Sequence, residues 1–253
     1  MGIPCRKTDY NLQVRTMKFI FSLLLIICCL YSEAQIYTTK HFKIFHSSLD
    51  DRNIKEIADS LEINYTRIII SLQSRELPVI NIYFYSDASN FRDGVKSWAR
   101  NLPLWTTGLT RGDSAIHIIS PDAPNQDYKE MIKSTIHEFA HCVSRYINNT
   151  IANNPRWLWE AIAIYESNQK PDPRQVSYLV NQKPPALSEL NDWSDTAIYD
   201  VGYFIAEYLV LSKGNAVLNA LIKNNGNIKQ TLNIDDAAFT KQWFVFVKKK
   251  YGI

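Results

Sequence analysis

The spacing of hydrophobic and polar positions changes character partway along this chain. Over residues 36–46 the side chains alternate, with Phe42 and Ile44 on one face and Lys43 and Phe45 on the other, which predicts a strand. Ile54, Ile57, Leu61, Tyr65, Ile68 and Leu72 then recur at helical spacing. They predict a helix reaching about Leu72, capped by Asp50 or Asp51. Pro78 opens a second strand over residues 79–85, Ser86 or Asp87 caps a short helix toward Trp98, and residues 115–119 form a third strand ended by Pro121. Beyond that point the pattern is helical: residues 127–147, 156–168, 197–211, 215–223 and 236–251, with 171–185 irregular. Lys248, Lys249 and Lys250 sit where the last helix has its negative end.

Strands mixed with helices, followed by helices alone, predict an α+β fold with a small mixed sheet. Residues 35–125 form an α+β subdomain, residues 126–253 a mainly helical one, and a cleft separates them. A chain of 253 residues, 46% hydrophobic and 21% charged, has ample core for this.

The first 34 residues read differently. Arg15 and Lys18 precede an apolar run from Phe19 to Tyr31, and Ser32-Glu33-Ala34 offers a small-x-small cleavage site. The run is short of a comfortable bilayer span. Residues 1–34 are therefore expected to be a signal peptide, with Met17 an alternative start, and the mature chain to be secreted or periplasmic without an integral membrane span. The whole chain has 28 basic and 25 acidic residues, of which four and two precede residue 35. The remaining balance of +1 gives no reason to expect nucleic acid as a partner. Cys5, Cys28 and Cys29 lie within the leader, so Cys142 has no partner for a disulfide and is expected to be a core thiol.

The candidate chemistry lies in His137-Glu138-Phe139-Ala140-His141. Histidines four apart on a helix point the same way, so His137 and His141 can grip one metal ion. Glu138 can act as base toward a water that the metal activates. Zinc needs a third ligand and an open position, and Glu160 offers the carboxylate from the next apolar helix. Phe139, Ala140 and Val143 place the motif in an apolar helix rather than on a salt-bridged surface.

These residues also carry a family resemblance. HEFAH, eighteen residues, and then Glu160 resembles the gluzincin pattern of zinc metallopeptidases. Trp157-Leu158-Trp159-Glu160-Ala161-Ile162-Ala163-Ile164-Tyr165 is similar to the W-x-x-E-G-x-A-x-Y segment of the peptidase MA-like group, and Tyr199-Asp200-Val201-Gly202-Tyr203-Phe204 resembles the Y-x-x-G-Y-x-F segment that follows. The resemblance spans about residues 130–215. It implies a zincin-like fold, Zn2+ held by His137, His141 and Glu160, Glu138 as catalytic base, and Tyr199 or Tyr203 as hydrogen-bond donor to the oxyanion. It also implies that the strand holding His117 runs along the cleft edge, where a peptide substrate could pair with it. Two departures matter. Ala161 replaces the usual Gly, and no G-x-M-E-N segment is present, the nearest stretch being Thr107-Gly108-Leu109-Thr110-Arg111-Gly112. That favours cleavage within peptide or protein chains over aminopeptidase action. The rival readings are a non-catalytic binding module on the same scaffold and a zinc amidase with a non-peptide substrate. Glu166 or Asp200 could hydrogen-bond a ligating histidine, though Glu166 reads better as a surface charge. Nothing in the sequence fixes an oligomeric state.

Overall fold

A computed structural model describes residues 35–151, 155–193 and 195–253. The expected leader lies outside the described residues. Five strands are present: β1 (Gln35–Thr38), β2 (Phe42–His46), β3 (Ile80–Tyr85), β4 (Gly108–Arg111) and β5 (Ala115–Ile119). They form one mixed sheet in the order β1-β2-β3-β5-β4, in which β2, β3 and β5 are parallel and β4 runs antiparallel to β5 at the edge. The strand expected over residues 36–46 is broken into β1 and β2. Between them Thr39 N–H donates to the Phe42 carbonyl at 2.9 Å, and Phe42 N–H donates to Thr39 Oγ1 at 3.1 Å, which closes a tight turn.

Nine helices occur among the described residues: α1 (Ile54–Ser71), α2 (Ala88–Val95), α3 (Tyr128–Ile147), α4 (Arg156–Glu166), α5 (Ser177–Val180), α6 (Ala197–Lys213), α7 (Ala216–Lys223), α8 (Ile228–Leu232) and α9 (Asp236–Tyr251). The mixed α+β class is thus as expected. None of these helices is long and apolar enough to cross a membrane. Helix α1 starts later than expected because Asp50 is engaged elsewhere. It closes a capping box with Ser47 on a short 3-10 turn and accepts a hydrogen bond from Ser120 Oγ just beyond β5. Helix α2 is capped by Asp87, one of the two expected candidates, which accepts from Asn90 N–H at 2.8 Å; helix α3 is capped by Asp127, expected within the helix, which accepts from Lys129 and Glu130 N–H, both at 3.0 Å.

The sheet separates two apolar environments. Phe42, Ile44, Ile80, Ile82, Ile116 and Ile118 are fully buried on the face toward α1 and α3, and the Phe42 ring lies 5.3 Å from that of Phe139. On the other face Phe45, Tyr83 and His117 sit in register on three adjacent strands, with successive ring centroids 4.6 Å apart. Strand β5 lies between β3 and β4, so it is not the edge: the edge beside the helices is β4. The family expectation for the His117 strand is corrected accordingly. Strand β4 was missed because it has four residues, of which only Leu109 is a large apolar side chain.

Helix α4 is buried on every face: residues 156–164 are all buried, the charged Arg156 and Glu160 among them. It packs between α3 and α6. At the α6 crossing, Gly202 lies against Ala161: a Cβ there would stand 3.2 Å from Ala161 Cα and 3.0 Å from Ile164 Cδ1. Gly202→Val is therefore expected to destabilise the chain by about 1–3 kcal/mol through overpacking. A urea midpoint equal to that of the unaltered chain would show that the crossing is looser than described.

Candidate metal centre

Helix α3 presents the two histidines toward α4. Nε2 of His137 lies 3.2 Å from Glu160 Oε2, and Nε2 of His141 lies 3.9 Å from the same oxygen. One donor atom from each residue falls within 4.8 Å of the others. A tetrahedral ion with bonds of 2.0–2.2 Å would hold its ligand atoms roughly 3.3–3.6 Å apart, so small side-chain rotations bring all three to bonding distance. Glu160 is almost fully buried, and its Oε2 has no hydrogen-bond partner among the protein atoms. An uncompensated buried carboxylate oxygen is costly. A cation among the three donors would resolve it, so the donor set fits a divalent metal ion.

Electrostatics carry the same tension. Burial alone would push the His137 imidazole down, but the facing Glu160 carboxylate, aided by Glu138, raises it above its ordinary value. Burial drives His141 well below the ordinary imidazole range, with His137 adding to the effect, so it is neutral as a ligand must be. A proton on His137 and a cation among the three donors are alternative ways to balance the charge of Glu160.

The surrounding residues orient the trio. Oε1 of Gln169 accepts from His137 Nδ1 at 2.9 Å and from Ser167 Oγ at 2.8 Å. The His141 ring stacks on Trp159 with centroids 4.1 Å apart and planes 5° from parallel. Gln169 takes the role considered for Glu166 and Asp200. Glu166 is not a surface charge: it is buried, accepting from Arg67 Nη1 at 2.6 Å and Ser71 Oγ at 2.5 Å, while Asp200 is exposed. Gln169 lies in a loop after α4 and has no periodic neighbours to mark it.

Glu138 faces β4. Thr110 Oγ1 donates to its Oε2 at 2.7 Å, and Gly108 lets the strand backbone approach so closely that a Cβ there would lie 3.1 Å from Glu138 Cγ. Burial pushes the Glu138 carboxyl up to about 7, against the lowering effects of His137 and Thr110. A divalent cation beside it would draw that value back down.

These groups line a cleft of about 410 Å³ whose walls include Thr106 and Leu109 on one side and Tyr199 on the other. The two tyrosines part company here. Tyr199 lines the cleft, held protonated chiefly by burial. Tyr203 does not reach it. It packs 5.4 Å from Tyr165 and lines a separate hollow with Glu166 and Arg67. Arg156, only 1% exposed, was not singled out from the sequence. Its guanidinium stands 5.5 Å from the Tyr199 ring and 5.1 Å from the Trp193 ring.

Cys142 is buried, and burial pushes its thiol well above the ordinary range, as suits a core residue. His117 lies away from the cleft. Its Nδ1 is 2.8 Å from Tyr85 Oη, and its pKa is lowered to about 4 by burial, with a smaller contribution from Arg111. No protein-family model matches the chain, and a search of curated proteins returns no match.

The His117 environment has a consequence for stability. Its folded pKa lies below the ordinary 6.5, so between these values the unfolded chain binds more protons. The stabilisation is complete above about pH 6.5 and is lost as pH falls toward 4, amounting to at most about 3 kcal/mol. His117→Gln is expected to flatten that part of the stability profile. Urea midpoints falling as steeply in the variant as in the unaltered chain would contradict this.

Proposed function

We propose that this chain is a secreted zinc-dependent metallopeptidase of the gluzincin type that cleaves within peptide chains. The observation that carries the reading is the position of Glu160. A carboxylate from a second helix meets both imidazoles of the HEFAH segment, and its Oε2 is otherwise unpartnered. The leader pattern supports export, and the sequence segments quoted above support the gluzincin assignment.

His137, His141 and Glu160 would hold the ion. When bound, zinc supplies a water acidified to a pKa of about 7 and a Lewis acid that polarises the scissile carbonyl. Glu138 takes the proton of the attacking water and passes it to the leaving amine. Thr110 fixes one oxygen of Glu138, which leaves Oε1 as the oxygen that carries this proton. Tyr199, protonated and on the cleft wall, donates to the developing oxyanion. Tyr203 has no such role, because it opens onto a different hollow. Strand β4 is the sheet edge and lines the cleft, so an extended peptide can pair with its backbone beside Glu138.

Mass spectrometry of the native protein is expected to find one zinc ion per chain, and a peptide-library digest at neutral pH to show cleavage that a chelator abolishes. Glu138→Gln should retain zinc while lowering hydrolysis by about 10²–10⁴-fold. Full activity in that variant, or in metal-free protein, would overturn the mechanism. Gln169→Ala removes the hydrogen bond to His137 Nδ1 and should weaken zinc affinity by about 10–100-fold. Competition with a chromogenic chelator measures it, and unchanged affinity would remove Gln169 from the site.

A further inference from the structure

Two apolar walls stand at the mouth of the cleft and extend into water. One is the segment from Leu102 to Trp105, in which Leu104 is 92% exposed and Trp105 52% exposed. The other carries Trp193, 58% exposed. Leu102, Trp105 and Trp193 line the cleft together with Tyr199, and the Trp105 ring meets the Tyr199 ring edge-on at 5.7 Å. Large apolar side chains left in water beside a cleft mark a contact surface.

Both walls are pinned from behind by an arginine. Arg92 donates to three successive carbonyls, those of Leu102 at 3.1 Å, Pro103 at 2.7 Å and Leu104 at 3.0 Å. Arg156 Nη1 donates to the carbonyls of Asp192 and, at 2.8 Å, Asp195, and its guanidinium lies beneath the Trp193 ring. Segments held in this way present their apolar side chains in a fixed arrangement, which lowers the ordering cost of binding. Apart from the metal-ligand trio and Glu138, no described residue lining the cleft is ionisable at neutral pH. The Arg156 guanidinium lies behind the Trp193 ring and does not line the cleft, so a charged side chain buried between these walls would meet no charged partner on the lining.

The geometry points to Trp105 and Trp193 as specificity-determining residues that receive an aromatic or large aliphatic side chain of the substrate, next to the bond presented at the metal centre. This rests on the peptidase reading, but its test does not require turnover. Zinc-loaded Glu138→Gln protein is titrated with a peptide of blocked termini, Gly-Gly-X-Gly-Gly, with X as Phe, Leu, Gly, Asp or Lys, and tryptophan fluorescence is followed. The Phe and Leu peptides should bind at least about tenfold more tightly than the Gly, Asp and Lys peptides, the scale expected for filling or leaving empty an apolar pocket. Adding Trp105→Ala or Trp193→Ala should erase most of that difference without reducing zinc content, and Trp193→Phe should restore it. In the active chain, library cleavage should place the same residues beside the scissile bond. Binding of the Phe peptide without any cleavage by the unaltered chain would defeat the peptidase reading and leave this inference standing. Cleavage beside charged residues or glycine would do the reverse. Equal or absent binding across the series, or a response to chito-oligosaccharides in place of the Phe peptide, would overturn it.

Discussion

The site depends on one constraint: helix α4 is enclosed on every side. A helix packed between α3 and α6 cannot rotate without disrupting the packing of Trp157, Leu158 and Ile162, each almost fully buried. Full burial of a side chain of this size is worth about 1.5–3 kcal/mol. The rotation that would carry Glu160 away from the histidines would break that packing. Polar chemistry is here positioned by apolar packing. The close approach at Gly202 serves the same end, since it lets α6 bring Tyr199 to the cleft wall.

The sheet contributes through its edge. Strand β4 reaches Glu138 with a hydroxyl from Thr110 and a backbone unobstructed at Gly108. Strand and helix thus meet at a single carboxylate. Glu138 is buried enough to have its pKa raised, yet it is held by a neutral donor and not by a fixed positive charge. A lysine or arginine in place of Thr110 would bind the carboxylate more strongly and reduce its readiness to accept a proton.

Much of this was legible in the sequence, for identifiable reasons. Long periodic segments declared themselves: α1, α3 and α9 lie within a few residues of expectation because their apolar spacing persists over four or more turns. The three candidate ligands were readable because i,i+4 geometry on a helix is local, and the W-x-x-E segment placed the third. What was missed depends on tertiary partners. Strand β4 exists because β5 is beside it. Gln169 matters because α4 ends next to His137, and Arg156 because its neighbours are loop carbonyls. Tyr199 and Tyr203 look equivalent in sequence, and only their tertiary neighbours distinguish them: Tyr199 lines the cleft, and Tyr203, one turn on, packs beside Tyr165. Glu166 read as a surface charge because nothing in its own segment announces Arg67, 99 positions earlier.

Cys142 adjoins His141 yet lies wholly within the core, its thiol held in the unreactive form. Oxidants and alkylating reagents act on the thiolate. The native molecule is therefore shielded from them, whereas an opened molecule is not. Sulfhydryl modification at this position accordingly reports the transient loosening of the α3 core, a tally of conformational excursions written into the protein by the one thiol among the described residues.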